Sequence, residues 1–200
     1  MRKFNLIVLL SLSCLFVAAQ DQASIAPSYR NIIKIDPIRF FSSTFQLSYE
    51  RLVDKDKSLN FSAGLIYKDI ESESVNGFRG EFQFRYFILE REIYNPARKI
   101  YFAPFIFDQY VDVINRNYYN SNGLQEQYSY KTNAFGGGIV MGVNWVFSKR
   151  FVIDAFLGGG VRTSNMDKNY SVYYTNNNGI MDYGYKGIFP RVGLDLGFTF

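Results

Sequence analysis

Two carboxylates, Asp154 and Asp195, fall at matching polar positions of two strand-like segments near the C-terminus. Carboxylates held close together can share a proton and act as acid and base. The chain contains no histidine, so mechanisms that take a histidine as general base are excluded in their usual form. The competing reading of these aspartates is structural, because charges inside a narrow protein interior normally neutralise one another. The polar face of the strand-like segments carries Lys34, Arg79, Arg85, Arg162 and Arg191 against Asp36, Glu50, Glu81, Asp154 and Asp195, a balanced set. A salt-bridged network is therefore expected, with Lys34, Asp36, Glu50, Glu81, Arg85, Asp154, Arg191 and Asp195 as its members and no catalytic residue among them.

Other chemical motifs fall away. The glycine triplets at 136–138 and 158–160 precede neither a helix nor a Lys followed by Ser or Thr, which a phosphate cradle requires. They are expected to lie opposite one another on paired strands and to mark a bend or close contact. Asp167, Asp182 and the nearby asparagines lack calcium-loop spacing. No metal and no cofactor is expected.

The elements that place these residues are strands. From Ile188 to Phe200 large apolar residues (Val192, Leu194, Leu196, Phe198, Phe200) alternate with polar or small ones (Arg191, Gly193, Asp195, Gly197, Thr199). That period of two suits a strand with oil on one side and a polar interior on the other. Similar segments run over 151–162, 135–147, 99–111, 78–88, 59–67, 44–52 and 31–38. In 99–111, Phe102 and Ile106 compete with Phe105 and Phe107 for the outward face, and Pro104 cannot donate to a ladder. Polar connections, the largest at about 112–132 and 163–187, are read as extracellular loops alternating with short periplasmic turns. The expected fold is all-β, an eight-stranded antiparallel transmembrane β-barrel with up-and-down meander topology.

Compartment follows from the two ends. Arg2 and Lys3, the apolar run from Phe4 to Val17 and the small residues up to Ala19 form a secretory signal peptide over 1–19. Residues 20–29 are then a periplasmic leader and 30–200 the barrel domain. A lipoprotein reading at Cys14 is disfavoured by Ser11 three residues earlier and by the apolar sequence that continues past it. Cleavage would remove the single cysteine, so no disulfide is expected. Loss of Arg2 and Lys3 from 22 basic residues leaves 20 against 18 acidic ones, which argues against a nucleic-acid footprint. Phe198 and Phe200 are the expected insertion signal for the barrel-assembly machinery. The expected location is the outer membrane of a Gram-negative bacterium, with membrane lipid and lipopolysaccharide as surroundings and a monomer as the assembly.

Asn31, Lys34, Asp36 and Pro37, the run Leu47, Ser48, Tyr49, Glu50 and Arg51, and the closing Pro190, Arg191, Val192, Gly193 and Leu194 resemble an uncharacterised family of small outer-membrane β-barrel proteins common in Bacteroidota, of the OmpA/OmpX-like eight-stranded type. The resemblance implies the fold and the compartment and brings no activity. A non-enzymatic structural or surface-interaction role is the expectation. Tyr118, Tyr119, Tyr173 and Tyr174 in the two large loops are the candidate contacts to an unidentified extracellular ligand, because tyrosine supplies rigid amphipathic area. The alternative is a narrow ion channel or transport accessory through the charged lumen.

Overall fold

The computed structural model describes residues 30–91, 97–119, 125–147, 150–168 and 182–200. Eight antiparallel strands close into a barrel in sequence order. They are β1 (Asn31–Ile35), β2 (Thr44–Asp54), β3 (Lys57–Ile70), β4 (Glu73–Arg91), β5 (Ala97–Tyr119), β6 (Gln125–Phe147), β7 (Phe151–Lys168) and β8 (Gly187–Thr199), with a short helix α1 (Pro37–Phe40) after β1. The expected fold class is therefore observed. Phe200 closes the ring with Asn31, each backbone N–H donating to the other's carbonyl.

Three expectations about extent are corrected. The first strand stops at Ile35 rather than Ile38. Asn31 and Phe200 exchange both backbone bonds, so Ile33 and Ile35 also face β8 and residue 37 is the next position due to donate to it. That residue is a proline, which has no N–H to give. Asp36 instead accepts hydrogen bonds from the N–H groups of Ile38 and Arg39 and caps α1.

Second, the stretch 112–132 is not a long loop. β5 runs to Tyr119 and β6 begins at Gln125, so Tyr118 and Tyr119 belong to a strand, although their side chains lie outside the described residues. A strand needs about 9–11 residues to cross a bilayer, and β5 and β6 have 23 each. Backbone pairing thus continues far beyond any membrane-sized band, carried by Tyr, Val, Ile and Thr, which favour strands. Third, β3 and β4 also extend, and meet in a hairpin around Glu71 and Ser72. Long and short connections consequently do not alternate along the chain.

The disputed register of β5 resolves with odd residues inward. Tyr101, Ala103, Phe105, Phe107, Val111 and Val113 are buried, while Phe102 and Ile106 are exposed. Elsewhere the alternation holds. Phe45, Leu47, Phe61, Leu65, Phe78, Ile139, Met141, Leu157, Val192 and Phe198 point outward and stay exposed, whereas Lys34, Glu50, Arg79, Glu81, Arg85, Asp154 and Arg191 are buried inside.

Large inward side chains are accommodated by glycines directly across the ladder. Tyr101 faces Gly142, Phe105 faces Gly138, Phe107 faces Gly136, Phe156 faces Gly193 and Lys34 faces Gly197. A Cβ on Gly142 would lie 2.5 Å from the Tyr101 ring, and one on Gly193 would lie 2.1 Å from Phe156. The triplets 136–138 and 158–160 meet at only one register pair, Gly138 with Gly160, because the connection from Phe147 to Phe151 offsets them by two residues. Apolar layers close the lumen at both ends. Ile32, Val146 and Val152 form the layer near the termini, and Ile66, Val75, Val111 and Val113, with Tyr130 and Tyr183 against them, form the opposite one.

Gly193→Ala is expected to destabilise the barrel by about 1–3 kcal/mol through overpacking against Phe156. Gly80→Ala, where an added Cβ meets nothing within 4 Å, is expected to be neutral or slightly stabilising. Urea unfolding in lipid vesicles checks both, and equal effects would contradict the packing account.

Candidate functional site

Period-two alternation turns Lys34 of β1, Glu50 of β2, Arg85 of β4 and Asp154 of β7 into the same lumen level, where all four side chains are 0% exposed. Lys34 Nζ donates to Glu50 Oε2 at 2.5 Å and to Asp154 Oδ2 at 2.8 Å. Arg85 Nη1 donates to Glu50 Oε2 at 3.1 Å and also to Asp154 Oδ2. Each carboxylate thus bridges both cations through one oxygen. The remaining oxygens are also satisfied: Ser58 Oγ of β3 donates to Glu50 Oε1 at 2.5 Å, and the Tyr101 hydroxyl of β5 donates to Asp154 Oδ1 at 2.7 Å. Arg85 stacks over the Tyr101 ring at 4.5 Å. Both carboxylates are thus fully coordinated, while Arg85 Nη2 has no hydrogen-bond partner; buried ion pairs offset their desolvation only where the geometry and the added hydrogen bonds are this good.

Gln83 links this quartet to a second cluster. Its Oε1 accepts from Arg85 Nε at 3.0 Å and its Nε2 donates to Glu81 Oε1 at 2.7 Å. Glu81 is shared by Arg79, at 3.0 Å through Oε2, and by Arg191 through Oε1. Arg79 also donates to Gln109 Oε1 at 3.0 Å. Both guanidiniums lie over aromatic faces, Arg79 at 3.7 Å from the Phe107 centroid and Arg191 at 4.2 Å from that of Phe105. Such stacking satisfies a guanidinium face that has no hydrogen-bond partner.

Of the expected network, Lys34, Glu50, Arg85 and Asp154 come together directly, and Glu81 and Arg191 join through Gln83. Asp36 instead caps α1 and pairs with Arg39 Nε at 3.3 Å. Asp195 is the register partner of Asp154, takes part in no ion pair among the described residues, and leaves its Oδ1 without a hydrogen-bond partner. The two aspartates are therefore neighbours with unlike surroundings. Both are buried.

Phe198 points outward and meets Phe151 edge-on at 5.6 Å. Tyr173 and Tyr174 lie outside the described residues. Sequence reasoning missed Ser58, Tyr101 and Arg39. The first two carry no charge to draw attention, and Tyr101 sits on the strand whose two faces are both apolar. No group of three metal-ligating side chains converges among the described residues.

The family described as "Protein of unknown function (DUF3575)" matches residues 5–179. Comparison with curated proteins finds no match. Among solved structures, the chain is similar to the crystal structure of the N-terminal β-barrel domain of Pseudomonas aeruginosa OprF, with 16% identity, a TM-score of 0.44, and coverage of 86% of this chain and 98% of that one.

Arg85→Met would leave Glu50 and Asp154 sharing one cation, and is expected to cost about 3–5 kcal/mol. Asp195→Asn, which breaks no ion pair, is expected to change stability by less than about 1 kcal/mol. Urea unfolding in vesicles reads both, and an Arg85→Met barrel as stable as the parent would contradict the network's role.

Proposed function

The chain belongs to the DUF3575 family, and on that premise, joined to the geometry of the barrel, we propose that it is a non-enzymatic outer-membrane protein with a closed lumen and a structural or surface-interaction role. The observation that carries this reading is the inverted polarity of the wall. Large apolar side chains are exposed on the outside while a fully buried charged quartet crosses the inside. In water such an exterior would be a large aggregation-prone patch, and in lipid it is the expected surface of a barrel. No helix of the described residues is long and apolar enough to cross a membrane, so the strands are what would span it.

The signal-peptide pattern at 1–19, in residues outside those described, supports export. Phe198 and the terminal Phe200 support recognition by the barrel-assembly machinery, and membrane lipid and lipopolysaccharide are the proposed surroundings of a monomer. The motif likeness extends the reading to the small barrels of Bacteroidota. A surface contact would rest with the connection between β7 and β8, which carries Tyr173 and Tyr174. Enzymatic chemistry is disfavoured by the absence of histidine and by the full coordination of Asp154.

Native cells should yield the protein in the outer-membrane fraction, with gel migration that differs between unheated and boiled samples. Purified protein in a planar bilayer should be electrically silent. A soluble, heat-indifferent protein would overturn the membrane reading, and stepwise conductance would replace the closed lumen with the channel alternative.

A further inference from the structure

The barrel wall is incomplete on one side. β1 pairs with β8 only over Ile32–Ile35 against Leu196–Thr199, and with β2 only up to Leu47. Thr199 N–H donates toward β7, to Arg150, while Phe200 bonds to Asn31. By alternation Leu194 and Val192 therefore turn their N–H and C=O groups toward the place that β1 vacates. No described backbone hydrogen bond reaches them from 37–43. Pro190, the next residue on that edge, has no N–H to leave unpaired, as is usual for an edge strand.

Helix α1 lies beside β2 and β8 and bridges the gap without bonding to β8. Its outer side carries Ile38, Phe40 and Phe41, the last 93% exposed, and Val192 is exposed beside them on β8. In hydrocarbon, unpaired backbone groups are costly, so this edge calls for a partner.

The inner side of the gap is polar and incompletely satisfied. Arg39 comes from α1, Gln46 from β2 and Arg191 from β8, the three elements that border the opening. Gln46 Oε1 and Arg191 Nε and Nη1 are buried without hydrogen-bond partners, as is Arg79 Nε nearby, and Arg39 Nε has only its ion pair with Asp36 at 3.3 Å. Arg39 lies within electrostatic range of Arg191 and Glu81. The three guanidiniums of Arg39, Arg79 and Arg191 are paired with only two carboxylates, Asp36 and Glu81, while Asp195, also within electrostatic range of Arg39, forms no ion pair among the described residues. With apolar layers closing both ends of the lumen, the gap is the side from which a ligand would come.

We propose that the gap between β8 and β2 is a lateral binding site for an anionic amphiphile, whose headgroup reaches Arg39 and Arg191 while its chain stays in the membrane against Ile38, Phe40 and Phe41. The N–H groups of Val192 and Leu194 would donate to the same anionic oxygens. A carboxylate or a phosphate headgroup would serve equally, since both present several acceptor oxygens to a guanidinium. A strand from a second copy would pair the edge but bring no charge to the arginines. The proposal rests on the membrane reading above.

The test titrates the full-length protein in non-ionic detergent, by calorimetry, with dodecanoate, dodecyl phosphate, dodecanol and inorganic phosphate. Dodecanoate or dodecyl phosphate should bind saturably, one per chain, and at least tenfold more tightly than dodecanol or inorganic phosphate. A preference for the carboxylate would point to free fatty acids and a preference for the phosphate to membrane lipid headgroups. Arg39→Gln should lower that affinity at least tenfold, while Arg116→Gln on the outer hairpin leaves it unchanged. Arg191→Lys, which keeps a cation beside Glu81, provides a second variant should Arg39→Gln fail to show heat-dependent migration. Equal binding of dodecanol, indifference to both arginine variants, or a strand-edge dimer in place of binding would overturn the proposal. A chain that fails fractionation and the heat shift refutes the membrane reading, whereas a folded outer-membrane barrel that binds nothing refutes only the site.

Discussion

Two cations and two carboxylates, all fully buried inside the lumen, are the constraint on which the rest of the structure depends. Lys34, Glu50, Arg85 and Asp154, with Ser58 and Tyr101, draw on β1, β2, β4, β7, β3 and β5. Six of the eight strands therefore converge on one set of charges. A one-residue slip of any of them would turn its member out of the lumen, so the network specifies register as well as closure. This matters most for β1, which has five residues and holds β8 over a short ladder. Lys34 ties that short strand past β8 to Asp154 on β7, where backbone pairing alone would hold it weakly.

Charge of this density is tolerated because the space around it is filled. Inward aromatics sit over glycines on the facing strand, so Phe105, Phe107 and Phe156 occupy volume that a second side chain would otherwise need. Their faces then take the arginine guanidiniums that Glu81 alone cannot satisfy. The rings that meet guanidiniums, Tyr101, Phe105, Phe107 and Phe156, all come from β5 and β7. The uncovered edge at Val192 and Leu194 is a place where the wall is incomplete, and it lies on the strand that carries the unpartnered donors of Arg191.

Much of this was legible in the sequence because a strand between lipid and a polar lumen leaves a period of two. The inward run Arg79, Glu81, Gln83 and Arg85 and the isolated Asp154 and Asp195 announced themselves in that way. The β5 register did not, since Tyr101, Phe105 and Phe107 are as apolar as their outward neighbours; the glycines opposite them in β6 were the available signal. Asp36 followed by Pro37 carried a helix-start pattern that the apolar alternation of Ile33 and Ile35 masked. The outer parts of β5 and β6 are rich in Tyr and Asn, and so looked like loops. Partners across the lumen, such as Arg85 with Asp154, depend on how the closed barrel staggers its strands, which no local pattern encodes.

The most direct test is a double-mutant cycle between Arg85 and Asp154, using Arg85→Met, Asp154→Asn and the pair, unfolded by urea in lipid vesicles. A charge network that carries the barrel predicts a coupling of about 1–3 kcal/mol, with the double variant far less damaged than the two single losses added together. Effects that add to within about 0.5 kcal/mol would show that the two side chains act independently, and would contradict the central place given to the buried quartet.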